Sequence, residues 1–239
     1  MKTIKIIAIC LTTLLTINAN AKEKIRGNGK VITENRTTGE YDKISIGGSF
    51  EVELVSGKEG NITIKVEENL APYLITKVEK GELKIKWKKG KNISHKKTIY
   101  ITIPFKDINA VAFGGSGNVV GKDPIKSDNL ALSLAGSGDM DLMVDANTMG
   151  ASLAGSGSID LQGTTDSIKY AIAGSGNIRG YELEVGDANV AISGSGNVSA
   201  TINGKLNAKI SGSGNVRYKG NPSTESVKVS GSGSVSKKN

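Results

Sequence analysis

The tripeptide Gly-Ser-Gly recurs along this 239-residue chain, beginning at Gly115, Gly136, Gly155, Gly174, Gly194, Gly212 and Gly231, at intervals of 18–21 residues. Apolar residues stand two places before each corner, from Phe113 and Leu134 to Ile210 and Val229. Others stand two places after it, from Val119 and Met140 to Val216 and Val235. Between them lies a small polar residue: Asn118, Asp139, Ser158, Asn177, Asn197, Asn215 or Ser234. Apolar–polar alternation on both flanks is a strand signal, so each unit reads strand, tight corner, strand. Further corners are expected near Gly163, Gly186-Asp187, Asn203-Gly204 and Gly220-Asn221-Pro222. A period near 19 built this way matches one coil of an all-β parallel β-helix, or β-solenoid. One coil cannot stand alone. Ordering it costs about 1–2 kcal/mol per residue, while each buried Val, Ile or Leu contributes only about 1.5–3 kcal/mol. Stacking gives every strand two hydrogen-bonded neighbours and buries its inward row.

The regular coils are expected over 111–239. Residues 22–110 differ in composition but not in class: "FEVELVSG", "NITIKVE", "ELKIKWK" and "TIYITIP" all alternate and are rich in β-branched residues. "ISIGGSFEVEL" at 44–54 echoes the repeat with Phe50 in place of the second glycine. These N-terminal strands are therefore read as wider, irregular coils of the same solenoid. No Pro-rich or low-complexity linker intervenes, so one continuous domain is expected.

The N-terminus carries Lys2 and Lys5, an apolar run from Ile6 to Leu15, and Ala19-Asn20-Ala21, the pattern of a secretory signal peptide over 1–21. The apolar run is too short to span a bilayer, and no later run is long enough for a membrane helix. Export to the periplasm, the outer cell surface or the medium is expected. Cleavage would remove Cys10, the only cysteine, and with it any thiol or disulfide chemistry. It also removes Lys2 and Lys5 and no acid, lowering the net charge from +8 to +6. A basic chain attracts acidic partners without choosing among them.

The run "YDKISIGGSFEVEL", then "VEENLAPYLITKVEKGELKIKWKKG", then "TIYITIP" leading into repeated "GSGNV" resembles the bacterial GIN-domain family, a group named for an auto-transporter adhesin head. The resemblance covers about residue 34 to the C-terminus. It implies a right-handed β-helix in an exported envelope protein and supplies no catalytic residues.

Rival chemistries of Gly-rich sequence fail on register. The nearest approach to a phosphate loop, "GGSGNVVGKD", has Ser116 at the first glycine position and Asp123 where Ser or Thr is required. The calcium nonapeptide would place its aspartates on Val119, Met140 and their equivalents, which are inward apolar positions. No metal or cofactor is expected, although Asp139, Asp141 and Asp145 are weighed as one local oxygen site against a solvated acidic edge. Ser116, Ser137, Ser156, Ser175, Ser195, Ser213 and Ser232 are expected to stack as a structural ladder, with the Asn, Asp and Ser residues after each corner forming a second column.

Two groups remain as candidate binding residues. Asp139, Asp141 and Asp160 fall on the outward rows of adjacent coils. Lys84, Lys86, Lys88 and Lys89 alternate with or follow Leu83, Ile85 and Trp87, so they point outward. The plain alternatives are a variable polar row and a solvated face that protects a strand edge. Nucleic acid is not expected, because exposed aromatics do not interleave with the lysines. The sole histidine, His95, lies in a Lys-rich loop outside the repeats, and the serines have no evident base. The expected function is a non-enzymatic envelope module for adhesion or carbohydrate binding, with an anionic glycan or cell-surface polymer as partner. A β-helix polysaccharide lyase or hydrolase is one alternative. A structural protein that self-associates through its coil ends is the other: the last coil, around Val229–Val235, needs a cap or partner, and Lys237 and Lys238 partly block it.

Overall fold

The structure, a computed structural model, describes residues 24–238; the expected signal peptide lies outside them. The chain forms a β-solenoid of stacked parallel coils, as the period predicts. Asp139–Gly155, Ser158–Gly174 and Asn177–Gly194 are each one bent strand running from one Gly-Ser-Gly corner to the next. Each pairs almost residue for residue with the coil before it. At Gly163, φ is +118° and the bend expected there is made without breaking the ladder to Val144.

The corner explains its own glycines. The first glycine of the corner has φ between +123° and +130° from Gly136 onward, a region that favours glycine. A Cβ on the second glycine would overlap two things in the coil beneath, as at Gly176: the carbonyl oxygen of Gly157 and the side chain of Leu153. The apolar residue two places before each corner thus fills the space that the next coil's second glycine leaves open. Corner N–H groups of Ser137, Ser156, Ser175, Ser195 and Ser213 donate to glycine carbonyls one coil back, over 2.9–3.1 Å.

Toward the N-terminus, stack order departs from chain order. The coil made of Lys43–Gly47 and Glu51–Ser56 lies between two coils that follow it in sequence. On one side are Glu82–Trp87 and Tyr100–Phe105; on the other are Ala110–Gly115 and Asn118–Gly121. The chain therefore crosses over its own earlier coil between Phe105 and Ala110. Gly48 and Phe50 sit beneath Gly115 and Gly117. Phe50 is tolerated at the second-glycine position because the coil below has no corner there; the chain leaves at Trp87 into the 88–98 loop. The Phe50 ring packs instead on Trp87, with centroids 5.5 Å apart and planes tilted by 58°.

Antiparallel strands close this end. Leu74–Glu79 pairs with Glu82–Trp87 through a two-residue turn at Lys80-Gly81, both with positive φ. Asn61–Glu67 pairs with Tyr100–Thr102 and with Val31–Thr37. Arg36, on Val31–Thr37, clasps the start of Leu74–Glu79 and the turn before it across the end of the core. Its guanidinium donates to the carbonyls of Leu74 and Ala71, to Thr76 Oγ1 and to Glu34 Oε2. At the other end the last coil is made of Thr224–Ser230 and Ser234–Lys237, and its first strand leaves Val227 and Val229 exposed. Among the described residues no helix is long and apolar enough to cross a membrane.

Candidate binding surfaces

The lysine candidates divide. Lys84 lies 2.9 Å from Glu79 and 3.3 Å from Glu82. Hydrogen bonds from Lys77 and Lys84 hold the Glu79 carboxyl down to about 2, so the charge of Lys84 is answered within its own hairpin. Lys86, Lys88 and Lys89 are exposed and make no ion pair among the described residues.

The loop that follows them is anchored. Glu67 is fully buried, and its carboxylate accepts hydrogen bonds from the backbone N–H groups of Lys96 at 2.8 Å, Lys97 at 3.3 Å and Gly29 at 2.5 Å. Burial alone would raise its pKa; the three N–H donors, helped by nearby His95, outweigh that and hold it below the usual carboxylate range. His95 itself is exposed, with Nδ1 3.0 Å from the carbonyl oxygen of Lys97. A short parallel pair then brings Lys24–Arg26 alongside Asn92–Ser94. Lys24, Arg26, Lys96 and Lys97 thereby join the exposed lysines at one end of the solenoid. Lys24 and Arg26 escape sequence reasoning because only the fold places them beside the loop. Their one advance signal is the alternation in "KIR", with Ile25 packed against the core.

The acidic candidates are neighbours on one outward sheet face, but they do not converge. Asp141 and Asp160 are in register on adjacent coils, while Asp139 pairs with Ser158 on the next row. Asp139 Oδ1 accepts from the N–H and the hydroxyl of Ser158, at 2.9 and 2.6 Å. Both Asp160 oxygens are held by Arg179, at 2.8 and 3.0 Å. Only Asp141 is left to solvent. Asp145 lies on another edge of the coil, where Thr164 donates to it over 3.1 Å. Among the described residues no group of three or more His, Cys, Asp or Glu side chains is placed to hold a metal ion.

The serine column, Ser116 to Ser232, stands exposed along the corner. Its stacking is carried by backbone N–H groups, and no hydrogen bond joins its hydroxyls among the described residues. Side-chain bonds run along the neighbouring column. Asn118 donates to Glu51 at 3.0 Å, Asn197 to Asn177 at 2.9 Å, Asn215 to Asn197 at 3.0 Å and Ser234 to Asn215 at 2.7 Å.

Solved structures from Bacteroides and Parabacteroides species share this architecture. An adhesin-like structure from Bacteroides fragilis, described as a "putative adhesin", superposes with a TM-score of 0.80 at 23% identity, over 90% of this chain and 100% of that one. A Parabacteroides merdae protein of the same description gives 0.72 at 26% identity, over 90% and 99%. A Parabacteroides distasonis protein described as a "putative lipid binding protein" gives 0.73 at 27% identity, over 91% and 100%. No match is found among curated proteins. The family model described as "Putative auto-transporter adhesin, head GIN domain" matches residues 40–222. Its span takes in the crossed-over N-terminal coils and the glycine corners alike, and the chain belongs to this family.

Proposed function

We propose that this protein is an exported, non-enzymatic envelope module that adheres by gripping an anionic glycan through its N-terminal cap. The observation that carries this reading is the cluster of exposed cations at that end: Lys86, Lys88 and Lys89 with Lys24, Arg26, Lys96 and Lys97. The buried Glu67 carboxylate holds the backbone of Lys96 and Lys97, strand pairing holds Lys24 and Arg26, and Lys86 lies on a paired strand. Anchoring matters because a polyanion gains little from lysines that must first be ordered. Family membership supports an adhesion role, and two of the three acidic candidates, Asp139 and Asp160, are held by Ser158 and Arg179, which weakens the lyase or hydrolase alternative.

The test uses heparin as the polyanionic probe, a neutral dextran as control, and vesicles with and without anionic lipid. The chain should retain heparin at low salt and release it as screening rises. Reversing Lys86, Lys88 and Lys89 to Glu should weaken retention at least about tenfold, by removing three like-signed contacts. Lys84→Ala should change it little, since Glu79 and Glu82 already answer that charge. Heparin binding untouched by the triple reversal sinks the proposal. So does binding to anionic vesicles alone, which would assign the cap to lipid headgroups.

A further inference from the structure

The outward face that carries Asp141 and Asp160 has a second property, read along the solenoid axis. Strand pairing places nine residues in one straight row, one per coil: Thr102, Glu53, Val120, Asp141, Asp160, Arg179, Ser199, Arg217 and Ser236. Acids occupy the N-terminal half of this row and arginines the C-terminal half. Reversed about Asp160, the row is complementary to itself on either side of the axis: Asp141 meets Arg179, Val120 meets Ser199, Glu53 meets Arg217 and Thr102 meets Ser236, while Asp160 meets its own copy with each carboxylate held by the Arg179 of its own chain. The adjacent row, from Tyr100 and Glu51 through Asn118, Asp139, Ser158, Asn177, Asn197 and Asn215 to Ser234, behaves likewise. Reversed about Ser158, it sets Asp139 against Asn177 and Glu51 against Asn215, so carboxylates again meet donors.

We propose that this face binds a second copy of the chain, packed antiparallel and face to face about a two-fold axis that passes through the Asp160 coil. A two-fold requires a surface that complements its own reversal, and the order of charges along both rows meets that requirement. Glu53, Asp141, Arg179 and Arg217 are exposed and available. The intrachain contacts of Glu53 with Lys122 at 3.2 Å and of Arg179 with Asp160 at 2.8 Å are half-exposed pairs of the weak kind. They leave room for a second partner. At the β-sheet spacing of about 4.8 Å per coil and about 3.3 Å per residue, nine coils by five residues present roughly 700 Å² per copy. Two such faces bury about 1,400 Å², toward the lower end of the range for a specific interface. The contact is polar, so it should be strong at low salt and fade as salt rises.

Sedimentation velocity on the mature chain tests this. The chain should be dimeric at low salt and dissociate at high salt. Glu53→Lys alone and Arg217→Glu alone should each weaken the dimer about tenfold or more, because two like-charged contacts replace two opposite ones. Mixing the two variants should restore a heterodimer, in which every swapped residue meets its opposite. As an independent reading of the geometry, Glu53→Cys combined with Arg217→Cys should form a disulfide between chains. Six coil steps, about 29 Å, separate these positions within one chain. A monomer at low salt overturns the proposal. A dimer indifferent to both swaps points to end-on stacking and overturns it equally, as do variants that do not associate on mixing while the cysteine pair fails to cross-link.

Discussion

At the scale of single residues, the corner glycines and Arg36 are held by different physics. Gly176 has no free volume at its Cβ position, because the coil beneath supplies a backbone carbonyl and the Leu153 side chain there. Gly176→Ala should therefore destabilise the chain by about 1–3 kcal/mol, the usual cost of overpacking a rigid site. Chemical denaturation would show it as a lower midpoint with an unchanged slope. Shrinking Leu153 at the same time should recover part of the loss, which distinguishes steric overlap from a backbone effect. Arg36 is a donor at the closed end of the core, to the carbonyl of Leu74 and to that of Ala71, which also accepts from the Leu74 N–H. Arg36→Met keeps the stem but removes these charge-assisted hydrogen bonds, and should cost about 1.5–3 kcal/mol.

At the scale of elements, the 88–98 loop is tied to the cap through Glu67 rather than through packing of its own. The folded carboxyl titrates below its ordinary value of 4.5. Its contribution is thus fully present above that value and is lost as the pH falls through the lowered one. Amide exchange at Lys96 and Lys97 should accelerate as the pH drops below about 4.5, relative to amides in the central coils. Glu67→Gln should abolish this pH dependence while also loosening the loop at neutral pH, since a neutral amide is the weaker acceptor. None of this is readable from sequence. "NITIKVE" marks a strand, but Glu67 follows the polar–apolar alternation as though it faced water, and nothing nearby shows that it lies under another segment's N–H groups. The Asp160–Arg179 contact was legible, because one coil period separates the two and a repeat converts sequence spacing into spatial adjacency.

For the whole molecule, the same conversion explains what was legible and what was not. From residue 110 onward, the inward residues flanking each corner could be assigned from their distance to it, but a register shift past Gly180 puts Leu183 and Val185 inward out of step with the earlier coils. The echo at Gly47-Gly48-Ser49-Phe50 identified another coil but carried no information about which coils it touches. Its neighbours are chosen by long-range pairing, and chain order misleads there. That crossing has a consequence for how the molecule is made. Coils from residue 110 onward add to a neighbour just completed, so each closes a short loop. The 43–56 coil, by contrast, is emitted first and must keep both edges unpaired until residues 82–121 have arrived on either side of it. Loop closure over that span is slow relative to local pairing. A chain threaded through a membrane N-terminus first would therefore emerge with its oldest strands still open and sticky. Its assembly would start from the middle, at the coils near Gly115, and the end that emerged first would be the last to lock.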